Sequence, residues 1–271
     1  MQTGRAFHAF VLAFVLIMLP AICLAQEQQL TPEQQREFLL KAKVIKSKQS
    51  DVGVTRPYTL TLSDGTITHD GSFQAIHERR SYKNLDRGGE MNFVDSYLYN
   101  LAAYELAKLL GLDAMMPVTV ERKWEGKTGS LTWWLPVQMS LGKMQEKKIK
   151  PPDVTAWNDS MHKIWVFSQL VYDTDRDNPG NILIGKDWEL YMIDFTRAFR
   201  LYHNISKPER LVRCSRDLLE KLRSLDPDEL AAKTGKYLTK PEREGIMKRR
   251  DKIVAQFEKL VSEKGENAVL Y

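Results

Sequence analysis

The chain has 271 residues, 43% of them hydrophobic, and a formal charge of +5. That is too apolar for a disordered segment, and long enough for one sizeable core or two lobes. The excess charge is small and spread along the chain, so nothing points to nucleic acid as a partner.

Residues 1–25 stand apart. Arg5 gives a positive start, Ala9–Leu19 is an unbroken apolar run, Pro20 breaks it, and Cys23-Leu24-Ala25 offers small residues before a cut at Gln26. This predicts a secretory signal peptide and an exported protein, periplasmic or secreted. The run is short for a bilayer, so no stable membrane span is expected after cleavage; the alternative is an uncleaved anchor. Ile22 precedes Cys23 where a lipoprotein needs a small residue. Cleavage removes Arg5 and no acid, leaving a charge of +4 and one cysteine, Cys214. A lone exported cysteine makes no internal disulfide, so Cys214 reads as a small buried hydrophobe rather than a nucleophile.

In chain order, Thr31-Pro32-Glu33-Gln34 starts a helix with a capping box and Pro at its first position, expected to run to about Lys46. It forms a helical N-terminal extension over residues 26–56. From Pro57 to Ile76 come short strands, YTLTL, TITH and SFQAI, with Ser63-Asp64-Gly65 as a turn. Asn92 to Leu110 shows an apolar helical stripe that Gly111 stops. PVTVER (117–122) and SLTWWLPVQM (130–139) read as strands. Beyond Pro151-Pro152 the chain turns helical: Trp157–Val171, then helices near 208–224 and 239–264, the last opened by a Thr239–Glu242 capping box. The reading is α+β in two lobes, a β-rich one over 57–145 and a helical one over 146–271.

Residues 172–195 carry the chemistry. Asp173, Asp175 and Asp177 alternate, and Asp194 closes an apolar run. NILI (181–184) and ELYMID (189–194) make a hairpin about Gly185-Lys186-Asp187. Pairing the strands brings Asn181 beside Asp194, with Asp175 just before them. Two carboxylates and a carboxamide suit a hard cation such as Mg²⁺, the other ligands being waters and phosphate oxygens. Phosphoryl transfer needs this layout: one Asp for the nucleophile, an Asn and an Asp for the metal on the nucleotide.

Asp175-Arg176, then Asn181, a hairpin and Ile193-Asp194-Phe195 resemble the catalytic core of atypical kinases. The resemblance is to the phosphatidylinositol 3-/4-kinase superfamily, with HipA-type and secreted Golgi-type kinases, and to bacterial kinase-like proteins ending in a pattern like Thr196-Arg197-Ala198-Phe199-Arg200. It implies a protein-kinase-like fold, ATP and Mg²⁺ as cofactors, and a protein, lipid or small molecule as acceptor. It implies Asp175 as base with Asp177 as rival, Arg176 structuring the loop, and Asn181 and Asp194 on the metal. Gln138 falls in the strand leading to the adenine hinge, and Trp133 or Trp134 is placed to stack on adenine.

The sequence departs from that pattern in three ways. Asp175 and Asn181 are one residue further apart than usual. Gln74 stands where the phosphate-binding Lys is expected, and Asn100 where its Glu partner is expected. The ion pair becomes an amide pair, which supplies no charge, unless Lys83 with Glu90 replaces it. The alternatives are therefore an active phosphotransferase, a pseudokinase that binds nucleotide or a partner without turnover, and a calcium-stabilised interaction protein. The last rests on the D-x-D-x-D at Asp173, which lacks Gly at its sixth position and Glu at its twelfth. Arg197 and Arg200 either contact phosphate or pair with carboxylates. His69, His77 and His162 are isolated, the Trp residues read as core, and Lys248-Arg249-Arg250 reads as a solvated helix face.

Overall fold

The computed structural model describes residues 30–50, 56–85 and 88–271. The signal-peptide expectation for 1–25 lies outside them. No helix among the described residues is long and apolar enough to cross a membrane.

Helix α1 (Pro32–Lys41) starts at the expected capping box, with Gln34 N–H on the Thr31 hydroxyl at 3.3 Å and the Gln34 side chain returning to Thr31 N–H at 2.8 Å. It stops five residues short of Lys46. Ala42 turns into an extended conformation, and β1 (Lys43–Gln49) follows, paired antiparallel with β2 (Tyr58–Ser63). The expected helical extension is thus half strand. All of β1 but Val44 is exposed, and its three lysines suit a strand at the edge of a sheet.

Next come β3 (Thr68–Gln74), β4 (His77–Leu85), β5 (Gly88–Ser96) and α2 (Tyr97–Leu109). Here the sequence reading fails at two places: TITH and SFQAI are joined in the single strand β3, and residues 92–96 are strand, the helix beginning only after the Ser96 hydroxyl caps Leu98 N–H at 3.3 Å. Then β6 (Thr119–Trp124) and β7 (Lys127–Trp133) complete a five-stranded sheet ordered β1-β2-β3-β7-β6. α2 buries Leu101, Ala102, Leu106 and Ala107 against it. SLTWWLPVQM is two elements, since Pro136 precedes a new strand, β8 (Val137–Ser140), in a separate sheet.

The second half holds α3 (Leu141–Glu146), α4 (Val154–Leu170), β9 (Ile182–Gly185) and β10 (Leu190–Met192). After them come α5 (Arg216–Ser224), α6 (Pro227–Thr234), α7 (Lys240–Lys264) and α8 (Glu266–Val269). β8, β9 and β10 form a three-stranded sheet. The helix expected near 208–224 begins only at Arg216. Residues Thr31–Tyr271 form one unit by their contacts.

Two buried polar groups tie α7 to the elements around it. The Glu242 carboxylate completes the α7 capping box on Thr239 N–H at 2.7 Å, and it also accepts from the Tyr99 hydroxyl of α2 and from Arg79 of β4 at 3.4 Å. Arg249 has no exposed surface; it donates to Leu170 O at 2.7 Å and Arg200 O at 3.0 Å. The solvated-face reading therefore fails for Arg249, because three backbone carbonyls without helical partners need its donors.

Cys214 is 1% exposed, and burial pushes its thiol up to about 12. The unfolded thiol ionises near 9 while the folded one keeps its proton, so stability is lost as pH rises above 9. From pH 9 to 10 the wild type should lose about 1 kcal/mol more than Cys214→Ala, read from urea midpoints. Equal losses would refute the burial argument.

Candidate active site

The loop between α4 and β9 is organised by Arg176, which is 3% exposed. Its Nε donates to Asp173 Oδ2 at 2.8 Å, and its other nitrogens reach Asn181 O at 2.7 Å, Ile193 O at 3.1 Å and Asp194 O at 3.5 Å. The guanidinium lies over the Phe195 ring at 4.3 Å. One planar side chain therefore fixes the loop, both ends of the β9–β10 hairpin, and the Asp194-Phe195 turn.

On this frame the Asn181 amide donates to Asp175 Oδ2 at 3.0 Å. The extra residue between them is taken up by a turn in which Asn178 caps Gly180 N–H at 3.0 Å. Asp194 sits in left-handed backbone, φ +54°, a strained state for a residue with a side chain. Its carboxylate accepts from the Thr196 hydroxyl at 3.0 Å and from Thr196 N–H at 3.4 Å. Burial raises its pKa and the Thr196 hydrogen bonds oppose this, while Asp95 and Asp173 push it further up.

Asp177 lies elsewhere. It is exposed and ion-paired with Lys207 and with Arg210 at 2.7 Å. Partial burial opposes ionisation, but those two cations hold its pKa below the ordinary value. With Asp173 on Arg176 and Asp177 on Lys207, the first and third acids of the D-x-D-x-D have cationic side chains as partners, and Asp175 has the Asn181 amide. Among the described residues no three His, Cys, Asp or Glu side chains group as a metal site.

The other expected residues fall in two places. Asn100 donates to Gln74 Oε1 at 2.6 Å and to the Ser130 hydroxyl at 3.1 Å, and its own Oδ1 accepts from Phe195 N–H at 2.8 Å. The amide pair thus joins β3, β7 and α2 to the residue after Asp194. β7 approaches so closely that a Cβ on Gly129 would lie 2.4 Å from Gln74 O. Gln138 does not join this group; its amide donates to Gly185 O at 2.8 Å and to Lys186 O, at the far turn of the hairpin. Trp133 is buried against Phe38 and His69, and Trp134 is 47% exposed.

The β4–β5 hairpin brings residues that the sequence reading placed differently. Lys83 bonds Glu78 at 2.7 Å and lies over Phe93 at 4.3 Å. Glu90 instead pairs with Arg197 at 2.6 Å and with Arg200. Asp95, at the end of β5, was missed altogether because 92–110 read as one helix. A cavity of about 550 Å³ lies outside this region. It runs between the hairpin and residues 199–202 and 239–242, and neither Asp175 nor Asp194 lines it.

No family model and no curated protein matches the sequence. Solved structures do match. Hydra Fam20, determined with sugar, aligns with TM-score 0.62 at 14% identity over 88% of this chain and 91% of its own. The Golgi casein kinase with Mn/ADP bound aligns at 0.63 and 13%, over 88% and 78%. The Helicobacter pylori proinflammatory kinase CtkA aligns at 0.51 and 10%, over 83% and 98%. The fold is therefore that of the atypical protein kinases, with a β-sheet N-terminal region and a helical C-terminal part. At such low identity the likeness extends to the fold alone.

Proposed function

We propose that this chain is an exported phosphotransferase using ATP and Mg²⁺, with Asp175 as base and Asn181 and Asp194 as metal ligands. The observation that carries this is the placement of Asp175, Asn181 and Asp194 by one buried arginine, at the ends of one hairpin. The donor set fits a hard cation: a carboxamide oxygen and a desolvated carboxylate whose donors all come from Thr196. When bound, the cation neutralises charge on the phosphates. Asp175 orients the acceptor hydroxyl and takes its proton, and the Asn181 amide holds that carboxylate in place. Gln74 supplies no charge, so Lys83 is the cation we assign to the phosphates; it stands on the Phe93 face, close enough to Asp95 to favour its ionised form. Lys83→Met should lower transfer about 100-fold, a typical loss for one charge stabiliser; an unchanged rate would remove Lys83 from this role.

A second reading, nucleotide binding without turnover, is favoured by the neutral Gln74–Asn100 pair. Thermal unfolding with ATP, Mg²⁺ and Ca²⁺, singly and combined, tests both. A ligand at 100 times its Kd stabilises by about 2.7 kcal/mol. The expected shift needs ATP and Mg²⁺ together, and phosphate appears on an acceptor. A shift without transfer, even to water, supports the second reading. Stabilisation by Ca²⁺ alone would favour a calcium-stabilised protein. No shift with any nucleotide overturns both nucleotide readings.

A further inference from the structure

Asp95 is 7% exposed, and its Oδ1 is shut from water without a hydrogen-bond partner. Across the hairpin it faces a second acid, Glu78, whose carboxylate is taken by Lys83. On its other side Ser96 N–H binds Thr196 O at 2.8 Å, which sets Thr196 beside it. Thr196 has one hydroxyl proton, and that goes to Asp194 Oδ1. Two carboxylates therefore flank one donor. Burial raises the pKa of Asp95, and Asp95 in turn raises that of Asp194. Thr196, Arg197 and Lys83 favour its charged form, yet Oδ1 itself receives no hydrogen bond. A buried carboxylate oxygen left so is costly, and a cation is the partner that removes the cost.

We propose that Asp95 is a second carboxylate ligand of the divalent cation held by Asp194, with Thr196 between them. The inference rests on the phosphotransferase reading. Two carboxylates and the Asn181 carboxamide are too few to hold magnesium alone, so the remaining positions belong to water and to the phosphates of a nucleoside polyphosphate. Cation affinity is then conditional on the nucleotide. The device differs from the amide pair at Gln74 and Asn100, which offers no charge to a metal.

The test is Mn²⁺ titration of the full chain, followed by electron paramagnetic resonance, with and without ADP. The wild type should bind Mn²⁺ tightly only with ADP. Asp95→Asn should weaken that binding at least tenfold, leave metal-free ADP binding unchanged, and leave or raise the ligand-free Tm, since it removes an unpaired charge. Unchanged Mn²⁺ affinity in Asp95→Asn, whatever its Tm, overturns this inference and leaves the phosphotransferase reading standing. A wild type that binds no Mn²⁺ with ADP overturns both. Should the variant fail to fold, anomalous scattering from wild-type crystals with Mn²⁺ and ADP decides. A cation about 2.0–2.2 Å from Asp95 Oδ1 supports the assignment, and one bound to Asp194 but not Asp95 refutes it.

Discussion

Arg176→Ala is expected to lower the unfolding free energy by about 3–5 kcal/mol. The Asp173–Arg176 pair is almost wholly buried, with side chains 0% and 2% exposed and 2.7 Å between Oδ2 and Nη2. Removing the cation leaves the Asp173 carboxylate without its charge partner, takes the guanidinium donor from Ile193 O, and leaves Asn181 O with Ile193 N–H alone. In a chain of this size each kcal/mol moves Tm by about 2–4 °C, so a fall on the order of 10 °C follows. The control is the double variant Asp173→Asn with Arg176→Ala, measured beside both single variants. It removes both charges and should recover part of the loss, giving a coupling energy of the order found for contacting pairs, about 0.5–3 kcal/mol. Additive losses would show that the ion pair is not the cause.

Asp175→Asn should reduce phosphate transfer by about 10²–10⁴-fold, the range for a lost general base. Nucleotide-induced stabilisation should persist, because this reading gives the metal to Asn181 and Asp194. Asp177→Asn should change the rate by less than tenfold, since its carboxylate is on Lys207 and Arg210 rather than on Asn181. The rivalry between the two acids is thus settled by one pair of rates. A larger loss in Asp177→Asn would reverse the assignment.

Much of this layout could be read before any coordinates. The hairpin and its two polar ends were legible because turn residues bracket two apolar β-prone runs, and pairing does the rest. Gln74 and Asn100 were placed only through a resemblance to kinases; no local rule connects residues 26 positions apart, and the 2.6 Å contact between them is tertiary. The β4–β5 hairpin was hidden for a physical reason. Its strands carry charges on both faces, so they lack the period-2 apolar signal, and the apolar stripe of α2 runs into Phe93 and Val94 at a helical spacing. That concealed Asp95. Arg249 failed similarly: a basic run on a helix looks solvated until the carbonyls it must satisfy are known.

Glu242 has a consequence for how α2 can move. The cap of α7 is also the anchor of Tyr99, the neighbour of Asn100 in α2. Swinging α2 outward would tear the buried Tyr99 hydroxyl from one oxygen of the buried Glu242 carboxylate, whose other oxygen caps α7 at Thr239. The helix is bolted at the back as well as at the front, where Asn100 holds Phe195 N–H. α2 is thereby held from two sides, and any shift of it has to break buried hydrogen bonds on both.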